Sequence, residues 1–368
     1  MVMRKRRLKY FGWAASIALL ALVVSNAHQL SEARAPEFEN RGSGPATESL
    51  TPIVERYAPF IYHETDRRGG RQDVISNYDF DGDLVGNNNW DNFPKFQLKP
   101  TVYYAALETE THYFISYHLF HPKDWNNFTF WLNDTHENDG ENFQVVVRKS
   151  DNRPVLLWTQ AHYKSRVYTR AGSSIESAST KIAGEFQAVD SSGVPTDAGE
   201  HAAVFVESEG HGIYGTMDST SDVSLKDDGS YSFKGKSGLL FRPARVDEQV
   251  REPEQTSAGA VAYQLDSITV KLWPLLRDGK LTGDGRLLDG SYLYQDELVE
   301  IEVPRFYDAN RFSGPFGSDR GISPFALDFS FNRGTLGALF FNPARAYSER
   351  LKITDSWSRQ YINYPFAR

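Results

Sequence analysis

Along most of the chain, short apolar segments rich in β-branched and aromatic residues are separated by Pro, Gly, Asn and Asp. Such segments predict strands, and the clearest ones are 102–107, 113–120, 143–147, 155–159 and 202–206. The first apolar segment, 53–61, is compatible with a helix or a short strand, and Pro59 limits any helix. The spacing predicts a mainly β fold, a sandwich or jelly roll with extra loops and a few short helices, rather than alternating βα units.

The N-terminus differs from the rest of the chain. A basic cluster at residues 4–9 precedes an apolar run at 11–24 and a small-residue exit at 25–27. This order predicts a secretory signal peptide over residues 1–27. A membrane anchor is the competing interpretation, but about 14 apolar residues span only about 21 Å of helix against a hydrocarbon core of about 30 Å. We therefore expect an exported protein, periplasmic or extracellular, with no transmembrane segment in its mature chain.

The remaining sequence divides into three parts. Residues 28–49 are rich in Ser, Glu, Gly and Pro and predict a flexible leader. We expect a metal-binding β-sandwich core over residues 50–245. The charged stretch 246–259, which contains Pro253, is a candidate linker, so residues 246–368 are interpreted as a β-rich C-terminal extension packed on the core.

Composition excludes several classes of protein. The chain has no cysteine, so an ordinary core must stabilise it without disulfides. Its formal net charge is −8, and loss of the basic cluster would make it about −13, which disfavours nucleic acid as a partner. The sequence contains no nucleophile-elbow, phosphate-binding-loop or zinc-protease pattern. The oligomeric state stays open.

The stretch from 121 to 141 carries the most chemistry. We expect Pro122 to end the preceding strand, so that Asp124 projects from a strand end. Asp139 and Glu141 are two residues apart and share a face if the next strand starts early, and His136 lies just before them. Three carboxylates and an imidazole suit Ca²⁺ or Mg²⁺, with Mn²⁺ as a further option, better than a structural zinc ion. The alternative is a solvated acidic loop with an incidental histidine.

Asp124 within Pro-Lys-Asp, the pattern His-x-x-Asp-x-Glu and the Val-Val-Val strand after it resemble a known motif. It is the heptapeptide Gly-His-Arg-His-Asp-Trp-Glu of the necrosis- and ethylene-inducing-peptide-like proteins, and the segment also resembles the related vacuolar-sorting-type domains. The likeness extends over roughly residues 100–215. It implies a β-sandwich in which Asp124, His136, Asp139 and Glu141 hold a divalent cation for docking on sphingolipid sugar headgroups.

Three positions depart from the family's heptapeptide. Thr135 stands in place of its Gly, Asn138 in place of its second His, and Gly140 in place of its Trp. The interval from Asp124 to His136 is also longer than in the toxic members. The ligand types are kept while the rest of the toxic signature is not, which favours metal binding over cytolysis.

Four more histidines belong to the same stretch of predicted strands. His162 follows the strand at 155–159, and His211 stands between two glycines after the strand at 202–206. In the family, histidines after corresponding strands reach the metal through water, so both are candidates for groups just outside the direct ligands. The alternative is an ordinary surface histidine. For His118 and His121, strand alternation predicts that one points inward as ordinary packing.

A second acidic segment contains Asp79, Asp81 and Asp83 and is followed by Trp90. Alternate aspartates around a glycine indicate a second cation loop, although an EF-hand is excluded because its Gly and its closing Glu are misplaced. Trp90 would suit a glycan-facing loop. The alternative is a turn whose aspartates cap their own backbone.

Three functions are consistent with the sequence. The first, which we favour, is a secreted divalent-metal-binding protein that recognises a glycan or lipid headgroup; enzyme activity is left open, with a binding role favoured over a catalytic one. The second is a metal-dependent hydrolase of phosphoesters or glycans, with His162 or His211 as general base. The third is a structural exoprotein whose metal stabilises loops. A glycan on the sequon at Asn133 would crowd the proposed metal site, which favours a bacterial source.

Overall fold

The computed structural model describes residues 49–125, 135–162, 164–282, 285–295, 298–306, 322–328 and 337–366. The predicted signal peptide and the leader up to residue 48 lie outside the described residues. Within the described ranges, no helix has the length and apolar character needed to cross a membrane.

Strands account for most of the regular structure in these ranges. In chain order they are β1 (Phe60–Thr65), β2 (Thr101–Thr109), β3 (His112–Asp124), β4 (His136–Arg148), β5 (Arg153–Ala161), β6 (Lys164–Thr169), β7 (Ile175–Ser177), β8 (Ile182–Glu185), β9 (Ala188–Val189), β10 (His201–Val206), β11 (Ile213–Gly215), β12 (Val223–Leu225), β13 (Tyr231–Phe233), β14 (Ser237–Pro243), β15 (Ala260–Ser267), β16 (Asp289–Gln295), β17 (Glu300–Phe306), β18 (Leu351–Ile353) and β19 (Tyr361–Asn363).

The helices are short. They are α1 (Thr51–Arg56), α2 (Asn89–Asn92), α3 (Ile268–Lys271), α4 (Trp273–Arg277), α5 (Ala338–Phe341) and α6 (Pro343–Arg350), with 3₁₀ turns at Gly86–Asn88 and Pro324–Ala326. The segment 53–61 contains both of its predicted states, because α1 ends before Pro59 and β1 begins at Phe60.

One large mixed sheet holds most of the strands, in the order β11-β10-β1-β14-β15-β2-β3-β4-β5-β6-β8. The strands from β2 to β6 pair antiparallel, whereas β1 with β10, and β15 with both β14 and β2, pair parallel. The prediction of a mainly β fold with a few short helices is confirmed. A two-sheet sandwich or jelly roll is not confirmed, because these strands belong to a single sheet.

The sheet curls so that one edge approaches strands near the other edge. β11 is the last strand on one side, yet it contacts β5 near the opposite side. Gly215 of β11 also lies so close to β6 that a Cβ atom there would be 3.3 Å from the ring of Tyr168. The curl carries the turn between β10 and β11 onto β4, where His211 contacts Asp139.

The five predicted strands are confirmed, and the two in the middle are longer than predicted. β3 continues through Pro122 to its end at Asp124, and β4 begins at His136 rather than at residue 143. The expectation that Pro122 ends its strand is therefore wrong. Pairing of β3 with β2 extends only as far as Leu119, so beyond that point β3 has one partner strand and tolerates a residue without an N–H.

The central strands are buried on both faces. β4 is buried at every position except Arg148, and β1 is buried at every position. Tyr117 of β3 stacks 5.1 Å from Phe143 of β4. Polar side chains on these strands therefore lie in the interior, where each needs a hydrogen-bond partner or a counter-charge.

We expect His112 of β3 to make the stability of the fold sensitive to acid. Its ring is buried 4.4 Å from the ring of Trp357, and burial lowers its pKa from 6.5 to about 4. Because the folded-state pKa is below the unfolded value, the stabilisation is present above about pH 6.5 and is lost as the pH falls toward 4. We expect this group alone to lower the free energy of unfolding by about 2 kcal/mol between about pH 7 and about pH 5, measured by urea unfolding.

The comparison variant is His112→Phe, which keeps an aromatic ring but cannot titrate. Between about pH 7 and about pH 5, the free energy of unfolding of this variant should fall by about 2 kcal/mol less than that of the parent protein. An equal pH dependence in the two proteins would contradict this assignment.

Candidate functional site

Antiparallel pairing of β3 with β4 brings the predicted metal ligands to one end of the strand pair. Asp124, the last residue of β3, lies opposite His136, the first residue of β4, and His121 lies opposite Asp139. Glu141 follows two residues along β4. Because β4 starts early, Asp139 and Glu141 are strand residues rather than loop residues, and they share a face.

The backbone at Asn138 interrupts the alternation of side chains between His136 and Asp139. Residues three apart in a regular strand lie on opposite faces, but Asn138 has a φ of 63°, which asparagine tolerates better than most residues. The side chain of Asn89 and a 2.7 Å hydrogen bond from Asn138 Nδ2 to the backbone oxygen of Gly86 hold it there. His136 is near enough to help lower the pKa of Asp139.

All four predicted ligands are buried, with exposures between 2 % and 4 %. The ring of His136 is oriented by its Nδ1, which lies 3.2 Å from the backbone oxygen of Glu137. Its Nε2 is 3.5 Å from Oδ2 of Asp124. A histidine whose Nδ1–H donates to a carbonyl oxygen while Nε2 faces an acidic group has the usual orientation of a metal ligand.

Asp139 accepts two hydrogen bonds. Its Oδ1 accepts from the backbone N–H of Gly140 at 2.9 Å, and its Oδ2 accepts from Nδ1–H of His211 at 2.6 Å. Burial acts to raise the pKa of Asp139, but the hydrogen bond and charge of His211 outweigh it and lower the pKa. Burial acts to lower the pKa of His211, but its bonds to Asp139 and Asp73 raise it to about 10. The pair is therefore a carboxylate and an imidazolium at neutral pH.

His211 reaches the ligand candidates through a tight turn. Its own φ is 50°. A Cβ at Gly210 would lie 2.8 Å from Cε1 of His162, and a Cβ at Gly212 would collide with the carboxylate of Glu207. A side chain at Gly210 would therefore have to displace the ring of His162, and one at Gly212 would have to displace the carboxylate of Glu207.

His162 contacts the same group of residues. Its backbone N–H donates to Oε1 of Glu141 at 3.1 Å, and its Nε2 lies 2.7 Å from Oε1 of Glu207. Both histidines that were predicted to lie just outside the direct ligands thus contact a ligand candidate, His211 through its ring and His162 through its backbone.

Sequence reasoning missed Asp73. Its Oδ1 lies 3.3 Å from Nε2 of His211 and accepts from the backbone N–H of Glu209 at 3.0 Å, while its Oδ2 accepts from the backbone N–H of Asp66 at 2.7 Å. It belongs to the connection after β1, and no spacing in the sequence relates it to residues 136–141.

The remaining histidines of the central strands were only partly anticipated. His118 and His121 are both buried, so the expectation that only one points inward is wrong, because the sheet is covered on both faces. His118 contacts Tyr78 and Asn142, whereas His121 Nε2 lies 2.9 Å from Nε2 of His63. His63 was missed, and its only signal is a polar residue within the otherwise apolar start of β1.

The second acidic segment directs its carboxylates toward nearby groups of its own loop region. The hydrogen bonds run to Asp79 from the side chain of Asn77 (2.8 Å), to Asp81 from the side chain of Asn92 (2.7 Å) and to Asp83 from the backbone of Val85 (2.7 Å). Of these three bonds, the one from the Val85 backbone to Asp83 is of the capping kind, whereas the other two join side chains. The second cation loop stays a prediction.

Trp90 lies beside the candidate site rather than with the aspartates of that segment. It is part of α2, and its backbone N–H donates to Oε2 of Glu137 at 2.6 Å. Nζ of Lys123 lies 4.0 Å from the centre of its ring. The neighbouring Trp125 has the guanidinium of Arg68 5.7 Å from its ring centre, so two indoles, each with a cation near its ring, flank the end of β3.

The donor set fits a divalent cation. Three carboxylates supply the oxygen ligands that Ca²⁺, Mg²⁺ and Mn²⁺ prefer, and His136 adds one nitrogen. The distance of 3.5 Å between His136 Nε2 and Asp124 Oδ2 is longer than a direct hydrogen bond, so these two atoms are not hydrogen-bonded to each other. Buried carboxylates are costly unless positive charge balances them, and a cation held by Asp124, His136, Asp139 and Glu141 would supply that charge.

No family model and no curated protein matches this chain. Solved structures that resemble it include NLPPya in complex with glucosamine, with 18 % identity over 48 % of this chain and 72 % of that one, at a TM-score of 0.26. The non-toxic HaNLP3 protein has 13 % identity over 48 % and 74 %, at 0.27. Necrosis and ethylene inducing protein 2, from the causal agent of cocoa's witches' broom disease, has 14 % identity over 59 % and 75 %, at 0.24. The resemblance predicted from the motif is therefore confirmed. The TM-scores show neither a shared overall architecture nor a shared ligand.

Proposed function

We propose that this protein is exported and binds a divalent cation, Ca²⁺ or Mg²⁺, through Asp124, His136, Asp139 and Glu141, and that it recognises a glycan or lipid headgroup at this site. The observation that supports the proposal most is the meeting of four buried groups of the right ligand types at the paired ends of β3 and β4. An incidental acidic loop would expose its carboxylates to water, whereas these are buried.

The surrounding residues keep the ligands ready for a cation. His211 keeps Asp139 ionised, and the backbone of His162 fixes one oxygen of Glu141. The carbonyl oxygen of Glu137 sets the direction of the His136 ring. When bound, the cation would offer coordination positions to hydroxyl or phosphate oxygens of a headgroup. Ligands that are already oriented lose little entropy on binding.

The two indoles at the end of β3 support a headgroup as the ligand. The ring of Trp90 offers an apolar surface for the C–H face of a sugar, and the nearby Lys123 offers a charge for an anionic group. Trp125 and Arg68 repeat the same combination. A site whose metal served only to fasten loops would not require aromatic and cationic side chains around it.

The cation is tested first with Glu141→Gln, which keeps the shape of the side chain and removes its charge. We expect the affinity for Ca²⁺ or Mg²⁺ to fall by at least about tenfold, because removing even an outer partner of a metal ligand typically costs that much. The affinity is measured by calorimetry on the chelator-treated protein. Asp81→Asn in the second acidic segment is the matched control and should leave the affinity unchanged. Equal affinities in Glu141→Gln and the parent would refute the proposed site.

The headgroup is tested with an array of glycans and lipid headgroups, with Ca²⁺ or Mg²⁺ present and again with chelator. Binding should disappear with chelator, and Trp90→Ala should weaken it without changing the affinity for the cation, while Trp90→Phe, which keeps an aromatic face, should weaken it less. Two outcomes would make the structural exoprotein the better description, provided that chelator lowers the melting temperature. In one, every ligand stays bound in chelator; in the other, the array shows no bound ligand under either condition.

A hydrolase is the second candidate, because His162 is paired with a carboxylate. Its Nε2 lies 2.7 Å from Glu207, the arrangement that orients a general base. We expect no turnover of phosphodiester or glycoside substrates with Ca²⁺, Mg²⁺ or Mn²⁺. Turnover that required metal and was lost in His162→Gln would establish the hydrolase instead.

A further inference from the structure

Three histidines form a fully buried group next to the proposed cation ligands. They are His63 of β1, His121 of β3 and His211 of the β10–β11 turn, and each has 0 % exposure. One ring nitrogen of each lies within 4.8 Å of those of the other two. This group, called here the histidine cluster, supplies none of the four ligands of the proposed function.

We propose that the histidine cluster is a second metal site, for an ion of the class that prefers imidazole nitrogen, such as Zn²⁺ or Co²⁺. Three neutral imidazoles with a fourth position left for water or another ligand are a recurrent zinc environment, and nitrogen donors select these ions over Ca²⁺ and Mg²⁺. The proposal stands independently of the proposed function, because its donor atoms and its metal class are different.

His63 is oriented as a ligand. Its Nδ1 lies 2.7 Å from the backbone oxygen of Glu64, so Nδ1 carries the proton and Nε2 presents a lone pair. That lone pair faces Nε2 of His121 at 2.9 Å.

His121 is incompletely bonded. Its Nε2 meets His63, but its buried Nδ1 has no hydrogen-bond partner among the described residues. Buried polar atoms are nearly always paired, but this Nδ1 is not the nitrogen that faces His63, so the ion would bind at Nε2. In a tetrahedral zinc site with Zn–N bonds of about 2.0–2.1 Å, two ligand nitrogens lie about 3.3 Å apart. The 2.9 Å between His63 and His121 would therefore have to widen by only about 0.4 Å.

His211 requires the largest adjustment. Its ring is stacked on that of His121, with centres 3.7 Å apart and planes 9° apart, and parallel rings cannot direct their lone pairs at one ion. The ring can rotate so that Nε2 leaves Asp73, because the 3.3 Å contact between Nε2 and Asp73 is longer than the 2.6 Å bond between Nδ1 and Asp139. The ion would replace the proton on Nε2 of His211, which is released on metal binding. With Nδ1–H retained on Asp139, the result is a carboxylate–histidine–metal arrangement.

Asp73 can give up His211 without being left unpaired. Its two oxygens still accept the backbone N–H groups of Asp66 and Glu209. Together with Asp139, it places two buried carboxylates beside the cluster, and their charge would favour a cation there. Since all three rings are inaccessible to solvent, the ion would enter during folding or through local opening.

The test uses the full chain, stripped with chelator and titrated with Co²⁺ both in its native state and during refolding. We expect one equivalent of Co²⁺ to give the strong visible absorption of a four-coordinate site, and Zn²⁺ but not Ca²⁺ or Mg²⁺ to displace it. X-ray absorption of the Zn²⁺-loaded protein should show three imidazoles. This measurement needs no variant, so it decides the question even if substitutions disturb the fold.

The variants assign the signal to its ligands. His63→Gln and His121→Gln should each weaken Zn²⁺ binding by more than about tenfold and abolish the Co²⁺ absorption. His201→Gln is the matched control, because His201 lies on the same sheet and its Nδ1 also contacts a backbone oxygen; it should change neither. Glu141→Gln should keep the Co²⁺ absorption while losing Ca²⁺ or Mg²⁺ affinity, which separates this proposal from the proposed function.

Two results would overturn the second site. One is a parent protein that, native or refolded, binds no stoichiometric four-coordinate Co²⁺. The other is Co²⁺ absorption that survives in both His63→Gln and His121→Gln, which would place the ion elsewhere and leave the three rings as packing alone.

Discussion

The antiparallel register of β3 with β4 is the constraint on which the candidate site depends. A slip of one residue would move Asp139 and Glu141 to the opposite face of the sheet. The register is held by the apolar part of the same strand pair, where Ile115 lies opposite Val145 and Tyr117 opposite Phe143, all fully buried. Burying each such side chain contributes about 1.5–3 kcal/mol. Apolar packing at one end of the two strands therefore fixes where the polar groups meet at the other end.

The curl of the sheet supplies the second half of the site. β10 and β11 are far from β4 in strand order, yet their connecting turn delivers His211 to Asp139. On either side of His211, Gly210 packs against His162 and Gly212 against Glu207. Asp73 then holds the far side of the His211 ring. A flat sheet with the same strands and the same register would leave Asp139 without its partner, and burial would then raise its pKa.

The sequence was informative where the pattern is local. Short segments rich in β-branched and aromatic residues predicted β2, β5 and β10 closely, and the spacing of Asp139 and Glu141 predicted that they share a face once β4 begins early. The position of His211 after a predicted strand, together with the family resemblance, pointed to it, although its contact with Asp139 depends on a curl that no local pattern encodes. Asp73 and His63 come from distant segments and carry no motif. Pro122 was misread because its effect depends on whether a second strand pairs beside it, which is a tertiary property.

Asp139 and His211 connect the oxygen-rich ligand set with the histidine cluster. One hydrogen bond joins them, and the ring of His211 is stacked on His121. Two cations held so close would repel each other, and salt screens buried charges little; the carboxylates of Asp73 and Asp139 are the groups that offset this repulsion. Thermodynamic linkage then requires each ion to change the affinity of the other by the same factor. The balance between repulsion and these two carboxylates decides whether the chain holds both ions together or one at a time.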